Sequence, residues 1–185
     1  DGRDTCRRLL EAAAATFADR GFHETTVADI CRRAGTNIAA VNYHFGGKER
    51  LLKEVLRLAC RTDAGRSLQD VVDESRYCLG DAEGQAQAVR HVARHLMQAI
   101  FSPERPRWCA RVLYQVAQHA GPLRVYLREQ LLDPSFQALT ELVLRIRPEW
   151  TVHEVYLWIH LLLAPAVFHA DHCELILARL GSATY

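Results

Sequence analysis

The sequence predicts an all-α protein in which an N-terminal three-helix helix-turn-helix domain is joined to a longer C-terminal helical domain. Three observations lead to that class. Apolar residues recur at helical spacing from the first segment onward, glycines and prolines fall at helix-length intervals, and three short helical segments are followed at once by a longer one. With 185 residues the chain is long enough for one or two domains with a sizeable core, so it requires no disulfide or metal staple.

The first segment, TCRRLLEAAAATFADRG, places Leu9, Leu10, Ala13 and Phe17 on one face, with Thr5 as N-cap and Gly21 as stop. TTVADICRRAG opens at Thr26 with Asp29 three residues later, a capping arrangement in which the hydroxyl accepts from an exposed backbone N–H. Val27 and Ile30 then point inward, and Gly35 ends the helix where a left-handed residue is least strained. The third helix runs from Asn37 to His44. Pieces this short are unstable alone in water and must pack together. From Lys48 a longer helix puts Leu51, Leu52, Val55, Leu58 and Ala59 on one face and Glu49, Arg50, Lys53, Glu54 and Arg57 on the other. Gly and Asp cluster in TDAGRSLQD and LGDAEGQ, which read as loops. Helices are expected beyond them at 85–101, 105–120, 122–146 and 150–169, with a short one at 171–180. Pro103, Pro106, Pro122, Pro134, Pro148 and Pro165 mark starts, breaks or kinks. The expected division is 1–47 and 48–185.

Composition is that of a globular protein, with 49% hydrophobic and 24% charged residues. The longest apolar run, VYLWIHLLLAPAVFHA, is interrupted by His160, Pro165 and His169, so no membrane partner is expected. The first residues carry no signal-peptide pattern, which gives a cytoplasmic expectation. Asp1 is an uncharacteristic natural start, and Tyr185 follows a short GSAT stretch, so further residues are expected at the ends. Cys6, Cys31, Cys60, Cys78, Cys109 and Cys173 lie one per segment without a C-x-x-C pair, a pattern of isolated thiols. Net charge is +1, but residues 1–61 carry 11 Lys and Arg against 8 Asp and Glu, and the remainder carries 12 against 14. The basic surplus therefore sits with the helix-turn-helix, which suits a polyanion.

The stretch GTNIAAVNYHFGGKERLL carries the chemistry. A core helix shows larger apolar residues; this one has Ala39 and Ala40, which let a backbone approach base edges closely. Asn37 and Asn42 offer donor and acceptor pairs suited to bases or phosphates, and Thr36 offers a hydroxyl and a methyl. Tyr43, His44 and Lys48 can reach phosphate oxygens, near the positive end of the fourth helix at Gly47. Phe45 reads as core. A lysine in a first helical turn is electrostatically disfavoured without a partner, which points Lys48 toward DNA.

TTVADICRRAGTNIAAVNYHFGGKERLL resembles the DNA-binding unit of the TetR family of bacterial regulators, through Thr26, Val27, Ile30, Cys31, Ala34, Gly35, Tyr43, His44, Phe45 and Lys48. NIAAVNYHFGGKE further resembles the CecR-like subgroup. The resemblance implies a non-enzymatic transcriptional regulator, usually a repressor, and no cofactor. It implies double-stranded operator DNA as partner, read by Thr26, Thr36, Asn37, Ala39, Ala40, Asn42, Tyr43, His44 and Lys48. It also implies a homodimer through C-terminal helices, and an unidentified small-molecule effector that tilts the two reading units apart. Two-fold symmetry then gives a near-palindromic operator with half-sites about 34–36 Å apart per helical turn.

Arg94, Met97, Phe101, Trp108, Val112, Tyr114 and Tyr126, together with His95 and Leu123, fall where an effector cavity would be lined, although such spacing equally makes ordinary core. His153, His160, His169, His172 and Cys173 form the best metal-like grouping, and the alternative function is a metal-binding protein or enzyme using His169, His172 and Cys173. The grouping lacks an H-E-x-x-H pattern, and imidazoles on helices are more often hydrogen-bonded structure, so no metal is expected.

Overall fold

The structure is a computed structural model that describes residues 2–61, 68–101 and 105–181, with side chains at 99, 101, 166, 167, 169–171, 173 and 174 outside the description. Its helices are α1 (Gly2–Glu24), α2 (Val27–Ala34), α3 (Ile38–Phe45), α4 (Lys48–Cys60), α5 (Leu68–Ser75), α6 (Ala82–Phe101), α7 (Trp108–Gln118), α8 (Pro122–Tyr126), α9 (Asp133–Ile146) and α10 (Val152–Leu180). A 3₁₀ turn follows α5 at Arg76–Cys78, and a π-type turn joins α8 to α9 at Leu127–Leu132. The chain forms two compact units. The first comprises Asp1–Cys60 and Pro106–Leu127, the second Arg61–Arg105 and Arg128–Tyr185.

In the first unit α1 is the hub, touching α2, α3, α4 and α7. Its centre is small, with Ala12, Ala13 and Ala14 buried around Leu9 and Phe17, so neighbouring helices approach closely. Ile30 of α2, Val41 and Phe45 of α3, and Leu51, Leu52, Val55 and Leu56 of α4 close the core. Burying each large side chain contributes roughly 1.5–3 kcal/mol, which is what holds together helices of only eight residues. The compact unit extends past the expected boundary at residue 47, because α4 buries its apolar stripe on α1 and α7. That stripe includes Leu56, whereas Leu58 is 41% exposed; residues 51, 52, 55, 56 and 59 repeat at helical spacing, and Leu58 falls outside the arc. Thr5 is not an N-cap, since α1 already begins at Gly2.

The second unit packs α5 against α6 and α9, and α10 against α6 and α9. Its core is Leu68, Val71, Val72, Val92, Leu139, Leu142, Val155 and Ile159. The expected loop TDAGRSLQD is helical from Leu68 onward, and its residues 62–67 lie outside the description. The two expected C-terminal helices are one: α10 runs through Pro165. Proline removes a single backbone hydrogen bond, to the carbonyl of Leu161, and the helix continues on either side of it. Thr151 starts α10 with a capping box to Glu154, and donation from Thr151 holds the Glu154 carboxyl below the usual carboxylate range. No described helix is long and apolar enough to cross a membrane.

Candidate nucleic-acid interface

The turn between α2 and α3 is set by backbone chemistry. The Thr26 hydroxyl accepts from Asp29 N–H at 3.1 Å, and Asp29 accepts from Thr26 N–H at 3.2 Å, completing a capping box. Hydrogen bonds from the Thr26 hydroxyl and N–H hold the Asp29 carboxyl below its ordinary pKa. At the other end Gly35 adopts φ 61° and ψ 41°, and Thr36 N–H returns to the Cys31 carbonyl at 2.9 Å. A side chain is strained at that φ, which is why glycine stands there. Arg8 of α1 donates to the Gly35 carbonyl at 2.9 Å, tying the turn to the hub helix.

Asn37 caps α3: its Oδ1 accepts from Ala40 N–H at 3.0 Å. With Val41 and Phe45 turned into the core, the outward face of α3 consists of Ile38, Ala39, Asn42 and Tyr43. Ile38 is 52% and Tyr43 85% exposed. Ala40 and His44 are half-buried, and the His44 ring stands edge-on to Tyr43 with centroids 5.0 Å apart. Thr36 is half-buried, with its hydroxyl oxygen enclosed and without a hydrogen-bond partner.

Lys48 is engaged differently from the phosphate contact that its position in the sequence suggests. Its Nζ donates to the carbonyls of Phe22 and Thr25, each at 2.8 Å, and lies 4.2 Å from the Phe22 ring centroid. Burial lowers its pKa from the ordinary lysine value. Phe22 lies in the bent tail of α1 and Thr25 just beyond its end, so the ammonium locks that tail to the start of α4. Asn37 and Thr26 are likewise occupied as caps. The face that remains open, Ile38, Ala39, Asn42 and Tyr43, has the small, polar and apolar groups that base edges and thymine methyls accept. Ile38 was not among the sequence candidates. Placement in the first turn, beside the cap, turns it outward.

The cavity candidates fall in both compact units. Arg94 and Met97 are exposed on α6, and the Phe101 side chain lies outside the description. Trp108 is half-buried, Tyr114 exposed, and Tyr126 is half-buried with its hydroxyl enclosed and unpartnered. Val112 and Leu123 line a cavity of the first unit. Of the metal-like grouping, His160 and His172 each place Nδ1 on the carbonyl four residues earlier, at 2.9 and 3.0 Å, and the side chains of His169 and Cys173 lie outside the description. A ring nitrogen held by the helix backbone in this way is structural chemistry.

Residues 9–55 match the family model described as bacterial regulatory proteins, tetR family. The chain is 30% identical over 155 residues to the HTH-type transcriptional repressor KstR2 of Mycobacterium tuberculosis (strain H37Rv), covering 82% of this chain and 74% of that protein. It is 36% identical over 103 residues to KstR2 of Mycolicibacterium smegmatis, covering 54% of this chain and 49% of that protein. Among solved structures, the fold resembles HlyIIR, a hemolysin II transcriptional regulator, with TM-score 0.63 and 21% identity over 86% of this chain and 84% of that one. It also resembles NalD, the secondary repressor of a Pseudomonas aeruginosa multidrug efflux pump, with TM-score 0.60 and 21% identity over 90% and 84%.

Proposed function

Because the chain belongs to the TetR family of bacterial regulatory proteins, which are transcriptional regulators and not enzymes, we propose that it is a homodimeric repressor released from a near-palindromic operator by a small-molecule effector. The observation that carries the reading is the open face of α3. Ile38, Ala39, Asn42 and Tyr43 point outward from a helix fixed by caps at both ends and by Arg8 behind its turn. In this reading Asn42 addresses a base edge, Ile38 and Ala39 pack on thymine methyls, and Tyr43 and His44 reach the phosphate backbone. Thr26, Thr36, Asn37 and Lys48 position that face, and the N–H groups at the start of α4 add a phosphate anchor.

The second copy docks on α10. Leu157, Leu161, Leu162, Phe168 and Leu175 are exposed along it, more apolar side chains than one helix face leaves in water without a partner. Residues 1–47 then form the reading domain and 48–185 the effector and dimer domain, with α4 as the element shared by both.

The test is operator binding by fluorescence anisotropy with Asn42→Ala and Tyr43→Ala. Loss of affinity by about 1–3 kcal/mol for Asn42→Ala, on a chain whose circular dichroism is unchanged, supports the reading. Unchanged affinity in both variants overturns the assignment of α3 as the reading helix.

A further inference from the structure

The first turn of α4 carries two cations, and the fold satisfies only one of them. Lys48 donates to the Phe22 and Thr25 carbonyls. Arg50 is exposed and makes no hydrogen bond or ion pair among the described residues. The cations around it are engaged. On α2, Arg32 pairs with Asp29 at 3.0 Å and Arg33 with Asp19 at 3.1 Å, and one turn along α4 Lys53 takes Glu49 at 2.9 Å. Glu49 is the acid of the first turn, so its pairing with Lys53 leaves Arg50 without a carboxylate there. A cation in that turn meets the positive end of the helix dipole, and its charge is unfavourable until something anionic joins it.

The Arg50 side chain does not trail out along α4. A side-chain carbon at Gly46 would stand 2.9 Å from its Nη1, 3.3 Å from its Cδ and 3.6 Å from its Cζ. The guanidinium is therefore folded back over the glycine that ends α3. Gly46 has φ 71°, and its N–H returns to the Asn42 carbonyl at 2.9 Å. Glycine serves twice here, since it adopts the left-handed turn and leaves the guanidinium its place against the backbone. The last carbonyls of α3 favour a cation nearby, yet Arg50 donates to none of them, and its N–H groups stay open to an acceptor.

We infer that Arg50 clamps a DNA phosphate at the C-terminal end of α3, the contact that Lys48 is too engaged to make. The inference rests on the operator-binding reading above and adds a positioning residue to it. With eight residues α3 is about 12 Å long, close to the width of the major groove, about 12 Å. When Ile38, Ala39 and Asn42 lie at base edges, the Gly46 end reaches the wall of the groove, where the phosphates run. A planar guanidinium there donates two parallel hydrogen bonds to one phosphate, and the anion offsets the charge that the α4 dipole opposes. The contact carries no base information; it fixes the angle at which α3 enters the groove.

The test compares the wild-type chain with Arg50→Gln and Arg50→Lys by fluorescence anisotropy. The probes are the intergenic duplex beside its own gene and a random duplex of equal length, between about 50 and 200 mM salt. Urea unfolding follows the stability of each chain. Arg50→Gln is expected to bind both duplexes about tenfold more weakly at the lower salt, with a slope of log K against log salt smaller by about 0.9 per bound chain. Its deficit then narrows by about 3.5-fold per bound chain at the higher salt. Arg50→Lys keeps the slope and loses part of the affinity, because a point charge cannot make the paired contact. If Arg50 only complements the α3 carbonyls, Arg50→Gln lowers the urea midpoint and leaves the slope unchanged, which overturns the inference. Failure of the operator reading looks different: the wild-type chain binds the random duplex as tightly as the intergenic one, and the Arg50→Gln slope on the random duplex still decides whether Arg50 meets a phosphate. Absence of binding to either duplex at the lower salt overturns both.

Discussion

Replacing Lys48 by methionine keeps most of the side-chain volume and removes the charge. The ammonium makes two hydrogen bonds at 2.8 Å to the Phe22 and Thr25 carbonyls and sits over the Phe22 ring. Hydrogen bonds from a charged donor contribute roughly 1.5–3 kcal/mol each, and a cation over an aromatic face about 0.5–2 kcal/mol. Against these stands the desolvation of the ammonium, which is also what lowers its pKa. Water can in addition reach the freed carbonyls of a half-buried site. The net loss is therefore toward the low end, about 2–3 kcal/mol. For a chain of this length that corresponds to a fall of about 4–12 °C in Tm, read with the urea midpoint at constant slope. Operator binding provides the second readout. With its N–H groups directed at carbonyls, the lysine contributes no released counterion, so the slope of log K against log salt stays unchanged. A Lys48→Met chain within about 0.5 kcal/mol of wild type, a change typical of unengaged surface positions, would refute the locking role. A slope smaller by about 0.9 would return Lys48 to a phosphate.

Thr26→Ala removes the α2 cap and is expected to cost about 1 kcal/mol in urea unfolding. The Asp29 carboxyl, held below its ordinary value by Thr26, stabilises the fold fully above the unfolded pKa of about 3.9, and this contribution is lost as pH falls through the lower folded value. Acid titration of Thr26→Ala should accordingly show a shallower loss of stability below that pH than wild type. Gly35→Ala forces a side chain into φ 61° and costs about 1–2 kcal/mol, measured by the same unfolding curves. Leu161→Glu on the exposed face of α10 converts a dimer to monomer in sedimentation velocity; an unchanged sedimentation coefficient removes α10 from the interface.

The reading unit was legible because its signals are local. Thr26 with Asp29, Gly35, and the small residues of α3 each act within one or two turns, and the structure shows the first two as cap and left-handed stop. What the sequence concealed was long-range or depended on helix phase. The partners of Lys48 lie 23 and 26 residues away, and no spacing rule reaches that far. Leu56 and Leu58 exchange inward and outward places by a rotation that a pattern of adjacent leucines does not fix. Pro165 suggested a break, yet a helix of 29 residues tolerates one missing bond. The cavity candidates, apolar residues with Arg94 and His95 as polar anchors, came from the middle of the chain. A cavity of the first unit is lined partly by the polar tail of α1, whose bend at Gly21 read only as a helix stop.

The central claim is that this chain reads DNA sequence through α3. It is tested most directly by measuring binding to the intergenic DNA beside its own gene, at two salt concentrations, with random duplex in excess as competitor. The account predicts tight binding that survives the competitor and weakens with salt by a slope set by its phosphate contacts. Binding that the random duplex removes as readily as unlabelled specific DNA, from protein freed of bound small molecules by unfolding and refolding, would contradict it.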